Sequence, residues 1–109
     1  MEDKILNLLG LCKKAGMLSV GHDASFESIE KGKAKLCLLC IDASQRLKSE
    51  FEATVIYKDR NVPLINLNNT MEEIWKATGS KAAVLTINNE GFANKIQKLN
   101  EQKHGEDNN

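Results

Sequence analysis

A chain of 109 residues, 41% hydrophobic and 28% charged, has the ordinary composition of a single globular domain. Fifteen basic side chains balance fifteen acidic ones, with a pI near 6.7. No global field therefore draws the chain to nucleic acid or to a lipid surface, and an anionic partner must be met by a local patch. No apolar run approaches the roughly 20 residues of a membrane span, and the opening Met1-Glu2-Asp3-Lys4 lacks the basic leader of a signal peptide. The expectation is a cytoplasmic protein with no membrane partner.

Residues 3–15 carry Ile5, Leu8, Leu9 and Cys12 at helical spacing, with Lys4, Asn7 and Lys14 on the other side. Lys13 and Lys14 in the last turn suit the helix dipole, and Gly16 can close it. Residues 17–20 are long enough for a short strand. The stretch 21–32, GHDASFESIEKG, reads as a short amphipathic helix opened by one glycine and closed by another, with Phe26 and Ile29 turned inward. Lys31, Lys33 and Lys35 bracket its exit and lead into the apolar run 36–41, the pattern of a central strand covered on both faces.

Asp42, with Gln45 three residues on, offers a capping box for a third helix whose inner face is Leu47, Phe51 and Val55. Arg60 and Asn61 end that element. Residues 62–67 form the next strand, with Pro63 near its start, where a lost donor is tolerated. Thr70 with Glu73 is a second capping box; it opens a helix running to Ala77 and stopped by Gly79. Residues 81–87 hold the last apolar run. Asn88 and Asn89 then lead into a final helix with Phe92, Ile96 and Leu99 at helical spacing. Strands alternating with helices predict an α/β fold, a three-layer αβα sandwich around a four-stranded mixed sheet. The domain covers residues 1–101, followed by a disordered polar tail, 102–109.

Chemistry has little to stand on. Cys37 and Cys40 have the spacing of a redox or zinc motif, but within a strand residues three apart point to opposite faces, so the two thiols cannot share a metal or a bridge. Together with Cys12 they read as buried and inert. His22 and Asp23 are neighbours, and adjacent helical residues do not face each other. Asp23, Glu27 and Glu30 lie along one helical face as a solvated stripe, and His104 falls in the tail. No nucleophile elbow, P-loop or dinucleotide fingerprint is present. The expectation is a protein that is not an enzyme and carries no metal or cofactor.

A helix start is the alternative working end, because its first N–H groups lack intrahelical partners and sit at the positive end of the dipole. Ligand sites on such sheets gather at one edge, where helix starts and strand exits converge. Two segments are expected to meet there: the opening turn with Gly21, His22, Asp23 and Ser25, and the loop with Gly79, Ser80 and Lys81. Lys13, Lys14, Lys31, Lys33 and Lys35 are expected to ring them.

The chain resembles the kink-turn RNA-binding ribosomal proteins of L7Ae type, and within them a small YlxQ-like bacterial branch. The residues that carry the likeness are the segment LLGLCKKAG at 8–16, the span 21–32 with KAKL after it, IDAS at 41–44, Val62-Pro63 and Gly91-Phe92-Ala93. The resemblance covers residues 3–99. It implies the same sandwich, and it implies binding of a sharply bent RNA through the Gly21 helix start, with the loop before the last strand closing over an extruded nucleotide. The family pattern at that start is Gly-x-Asn-Glu-x-x-Lys. Gly21 matches it, while Asp23, Ala24 and Glu27 stand at the asparagine, glutamate and lysine. Each lost specific contact costs on the order of 1–3 kcal/mol. The expectation is a monomeric, non-catalytic, ribosomal-protein-like binder of structured RNA, ribosomal or kink-turn, with altered recognition. The alternative is a protein–protein module of the translation machinery, presenting an acidic face to a basic partner such as a ribosomal protein.

Overall fold

The computed structural model describes residues 3–57 and 62–107, with side chains through residue 102. The elements in chain order are α1 (Lys4–Lys14), β1 (Leu18–Val20), α2 (His22–Glu30), β2 (Leu36–Leu39), α3 (Gln45–Tyr57), β3 (Leu64–Asn66), α4 (Met71–Thr78), β4 (Val84–Ile87) and α5 (Glu90–Asp107). The sheet order is β1-β4-β2-β3. β4 runs antiparallel to both β1 and β2, whereas β2 and β3 are parallel. β1, β2 and β3 therefore point the same way and β4 alone runs back, so the sheet is mixed as expected.

Alternation along the two central strands divides the core into two layers. Leu36, Leu38, Leu85 and Ile87 face α1, α4 and α5, meeting Ile5, Leu9, Ile74 and Ile96. Cys37, Leu39 and Val84 face α2 and α3, meeting Ile29 and Phe51. Both strands are fully buried, which is why they read as continuous apolar runs rather than alternating ones. The same alternation sends Cys37 into one layer and Cys40 into the other, and burial pushes both thiols up to about 12.

Three boundaries depart from the sequence reading. The second strand ends at Leu39; Ile41 has left the sheet and is half exposed, its N–H donating to the Asn69 carbonyl. Asp42 does not cap α3. That helix begins at Gln45 under the Ser44 hydroxyl, which accepts from the Leu47 N–H, while Asp42 accepts from the Met71 N–H and so serves α4 from 29 residues away. Finally, residues 102–107, read as an unstructured tail, continue α5 as far as Asp107. The turns around Ile96 and Leu99 are anchored in the core, and adding Gln, Lys and Glu to an existing helix carries no nucleation cost. The expected helix end at Arg60 and Asn61 lies outside the described residues.

The Thr70–Glu73 capping box is fully formed. Asp3 caps α1 through the Ile5 and Leu6 N–H groups and also accepts from Asn69, tying the start of α1 to the start of α4.

Candidate functional site

Because β1, β2 and β3 are codirectional, the helices that follow them, α2, α3 and α4, all open at the same edge of the sheet. Three positive dipole ends collect there. Ser44 caps α3 and Thr70 caps α4, but no side chain caps α2. The bend from β1 into α2 is made by Gly21 at φ 101°, a conformation closed to most L-residues. Its own N–H is spent on the Val84 carbonyl at 2.9 Å, so the donors left at this start belong to the residues after it.

That bond also locates the second candidate segment. Val84 is the first residue of β4, so Ser80, four residues earlier, lies within about 14 Å of extended chain from it. The Lys13 ammonium donates to the Ser80 hydroxyl at 2.5 Å, pinning the end of α1 onto the loop. Gly79 and Lys81 are exposed on either side.

The charge at this edge is not what the sequence suggests. The two ring nitrogens of His22 each face a carboxylate, Nδ1 at 3.0 Å from Asp23 and Nε2 at 2.7 Å from Glu50 of α3. Its ring stacks over Phe26 and meets Phe51 edge-on, 5.4 Å between centroids. The expectation that His22 and Asp23 do not meet is therefore corrected: at the first residue of a helix no preceding turn keeps neighbouring side chains apart. Glu50, then Asp23, holds the imidazole above its ordinary 6.5. When protonated, the ring donates to a carboxylate on each side and has no free lone pair, which suits an anchor better than a general base. Glu50 was invisible to sequence reading, since nothing links residues 28 apart on separate helices.

Two further expectations are corrected. Ser25 is fully buried, its N–H bonded to the Gly21 carbonyl, so its side chain faces the sheet and meets no external ligand. Lys31, Lys33 and Lys35 do not ring Gly21. The Lys35 N–H donates to the carbonyl of Ile87, at the far end of β4. Nine helical residues at 1.5 Å each make α2 about 13 Å long, so its entrance and exit belong to opposite edges of the sheet. Lys31 is moreover paired with Glu27 one turn back. Lys14 is exposed, three residues before Met17, whose carbonyl accepts from the Asn88 N–H at that same far edge. Of the five lysines only Lys13 is tied to the loop at Ser80. Among the described residues no group of three or more His, Cys, Asp or Glu is placed to hold a metal.

The sequence model of the ribosomal protein L7Ae/L30e/S12e/Gadd45 family matches residues 3–97. The chain belongs to this family. It is 33% identical over 98 residues to the RNA-binding protein YlxQ of Enterococcus faecium, covering 90% of this chain and 92% of that one. A Bacillus halodurans protein solved as one of unknown function superposes with a TM-score of 0.81 at 25% identity, over 90% of this chain and 97% of that one. The Giardia lamblia 15.5kD RNA binding protein shares the fold at TM-score 0.66 and 16% identity, over 91% and 87% of the two chains.

Proposed function

We propose that this protein is a non-catalytic, ribosomal-protein-like binder of structured RNA, and that its recognition differs from that of kink-turn binders. The observation that carries the reading is the convergence of three helix starts at one edge of the sheet, with the uncapped amides of α2 beside a loop held by Lys13. Such an edge suits phosphate or a base edge. The likeness to an RNA-binding protein at 33% identity over nine-tenths of the chain supports the same ligand class.

Recognition is altered because Asp23 is committed to His22, Ala24 offers no polar group, and Glu27 sets a negative charge where the family pattern has lysine. Binding then rests on backbone amides, Lys13, Lys81 and the loop. Three or four phosphate contacts give a log–log salt slope of about −3. The test is a gel shift or calorimetry at low salt, with kink-turn duplexes and ribosomal RNA as ligands and a neutral protein as control. Saturable, salt-sensitive binding is expected, and binding no better than the control refutes the reading.

A second reading is favoured by one observation: Asp23 and Glu50 put two carboxylates on the ring of His22. These would receive a basic segment of a ribosomal protein or translation factor. Replacing Asp23 by Asn and Glu27 by Lys separates the two readings, since the change raises affinity for RNA and lowers affinity for a basic peptide.

A further inference from the structure

The face of the sheet opposite α2 holds a groove that the Gly21 edge does not use. It runs between α1 and α5, has a volume of about 210 Å3, and is lined by Leu8, Lys95, Lys98, Leu99 and Gln102. Leu8 and Leu99 are half-buried, packed on the core below and open to the groove above. Leu11, one turn further along the same side of α1, is 55% exposed and extends this apolar floor. The rim carries one sign of charge. Lys95 and Lys98 are exposed, and among the described residues neither is in an ion pair. α1 adds the exposed Lys4 and Lys14 and has no Asp or Glu along its length. On α5, about 100° per residue turns Glu90 and Glu101 away from the side that carries Lys95 and Leu99. A chain of zero formal net charge therefore concentrates positive charge around an apolar floor.

Size and charge narrow the occupant. The volume is below the roughly 300–1,000 Å3 of sites for drug-sized ligands, so one large apolar side chain fits. RNA is a poor match, because unpaired bases stack on aromatic rings or guanidinium planes and the lining of the groove has neither. A second copy is no better, since a two-fold contact would set lysine against lysine. An acidic polypeptide matches both parts of the site, its apolar side chain seated on Leu8 and Leu99 and its carboxylates on the lysine rim.

We infer that the groove between α1 and α5 binds an acidic segment of a partner protein, anchored by one large apolar side chain. The groove lies across the sheet from α2, and Lys13 leaves α1 on its other side, toward Ser80, so the assignment does not rest on RNA binding at the Gly21 edge.

The test is titration of the full-length, isotope-labelled protein with the peptide Glu-Asp-Glu-Phe-Glu-Asp-Glu, followed by amide chemical shifts, with the same peptide carrying Ala for Phe and with oligouridylate in parallel titrations. Saturable shifts at Leu8, Leu11, Lys95 and Leu99, without shifts at His22, Asp23 and Ser80, are expected, and the alanine peptide binds about tenfold more weakly. Lys95→Glu combined with Lys98→Glu places good helix formers at exposed positions and leaves folding intact by circular dichroism; it weakens the phenylalanine peptide about tenfold or more, because attractive rim charges become repulsive. Equal affinity for the two peptides overturns the apolar anchor, and tighter binding of oligouridylate at the same residues overturns the choice of a protein partner. Absence of shifts overturns the inference, as do shifts at the groove that appear on raising the protein concentration alone. Failure here leaves binding of structured RNA at the Gly21 edge untouched, since the two experiments read different residues and different ligands.

Discussion

Gly10 couples the packing of α1 on α4 to the Lys13–Ser80 contact, and Gly10→Ala tests that coupling. In an exposed helix interior that change gains about 1 kcal/mol from helix propensity. Here the added Cβ would stand 3.0 Å from the carbonyl oxygen of Ala77, in the last turn of α4. Backbone cannot rotate away as a long side chain can, so α1 and α4 must separate by a few tenths of an ångström. Overpacking of this kind costs about 1–3 kcal/mol. Setting the propensity gain against it leaves a net loss of about 1 kcal/mol, or roughly 4–8 °C in Tm for a domain of this size. The chain's one tryptophan, Trp75, sits on α4, so its fluorescence can follow the melt alongside circular dichroism. Gly10→Val should lose more. The same separation draws Lys13 away from Ser80, so RNA affinity falls in parallel with stability. A Gly10→Ala protein that melts higher than the parent would refute the reasoning, because the site would then behave as free helix surface.

Other changes have separate readouts. Lys13→Ala should shift stability by less than about 0.5 kcal/mol and reduce the salt slope of RNA binding by about 0.9, measured by gel shift across a salt series. Thr70→Ala removes one half of a complete capping box and should cost about 1 kcal/mol in chemical denaturation. Because Glu50 and Asp23 raise the pKa of folded His22 above 6.5, its contribution to stability is complete below that value and is lost as pH rises through the folded one. The stability gap between wild type and His22→Gln should therefore be full below about pH 6.5 and shrink as pH rises above it. Cys37 and Cys40, buried and pushed up to about 12, should resist thiol reagents until the chain unfolds. Labelling of the native protein at neutral pH would overturn that.

The elements were legible because hydrophobic period and capping chemistry are local. The Thr70–Glu73 box, the buried run of β2 and the inward Ile29 and Phe51 all follow from neighbours a few residues apart. What was not legible is which groups the fold brings together. Asp42 looked like a cap for the helix after it and became a partner of Met71, because β2 and β3 end side by side. The lysines after α2 looked like neighbours of Gly21, because closeness in sequence hides the length of a helix. Glu50 carried no signal at all until α3 was laid beside α2. Asn88 was read only as a linker into the last helix, since the hydroxyls of Ser19 and Ser28 that fix it are about 60 residues or more away.

The charges on α2 explain why this member departs from the family pattern at the helix start. Asp23 in the first turn and Lys31 at the C-cap complement the helix dipole, and Glu27 ahead of Lys31 by one turn is the favoured order for such a pair. An arrangement that stabilises the helix in this way is the reverse of one that receives phosphate at its start, where a lysine in place of Glu27 would be attractive to RNA but would stand beside Lys31 without a partner. The two demands cannot both be met on nine residues. This chain meets the first, and the cationic side chains of Lys31, Lys33 and Lys35 follow the exit of α2 instead. Restoring lysine at position 27 should therefore strengthen RNA binding at the Gly21 edge while lowering the melting temperature, and a variant that gained both would show that the helix dipole does not govern the pattern.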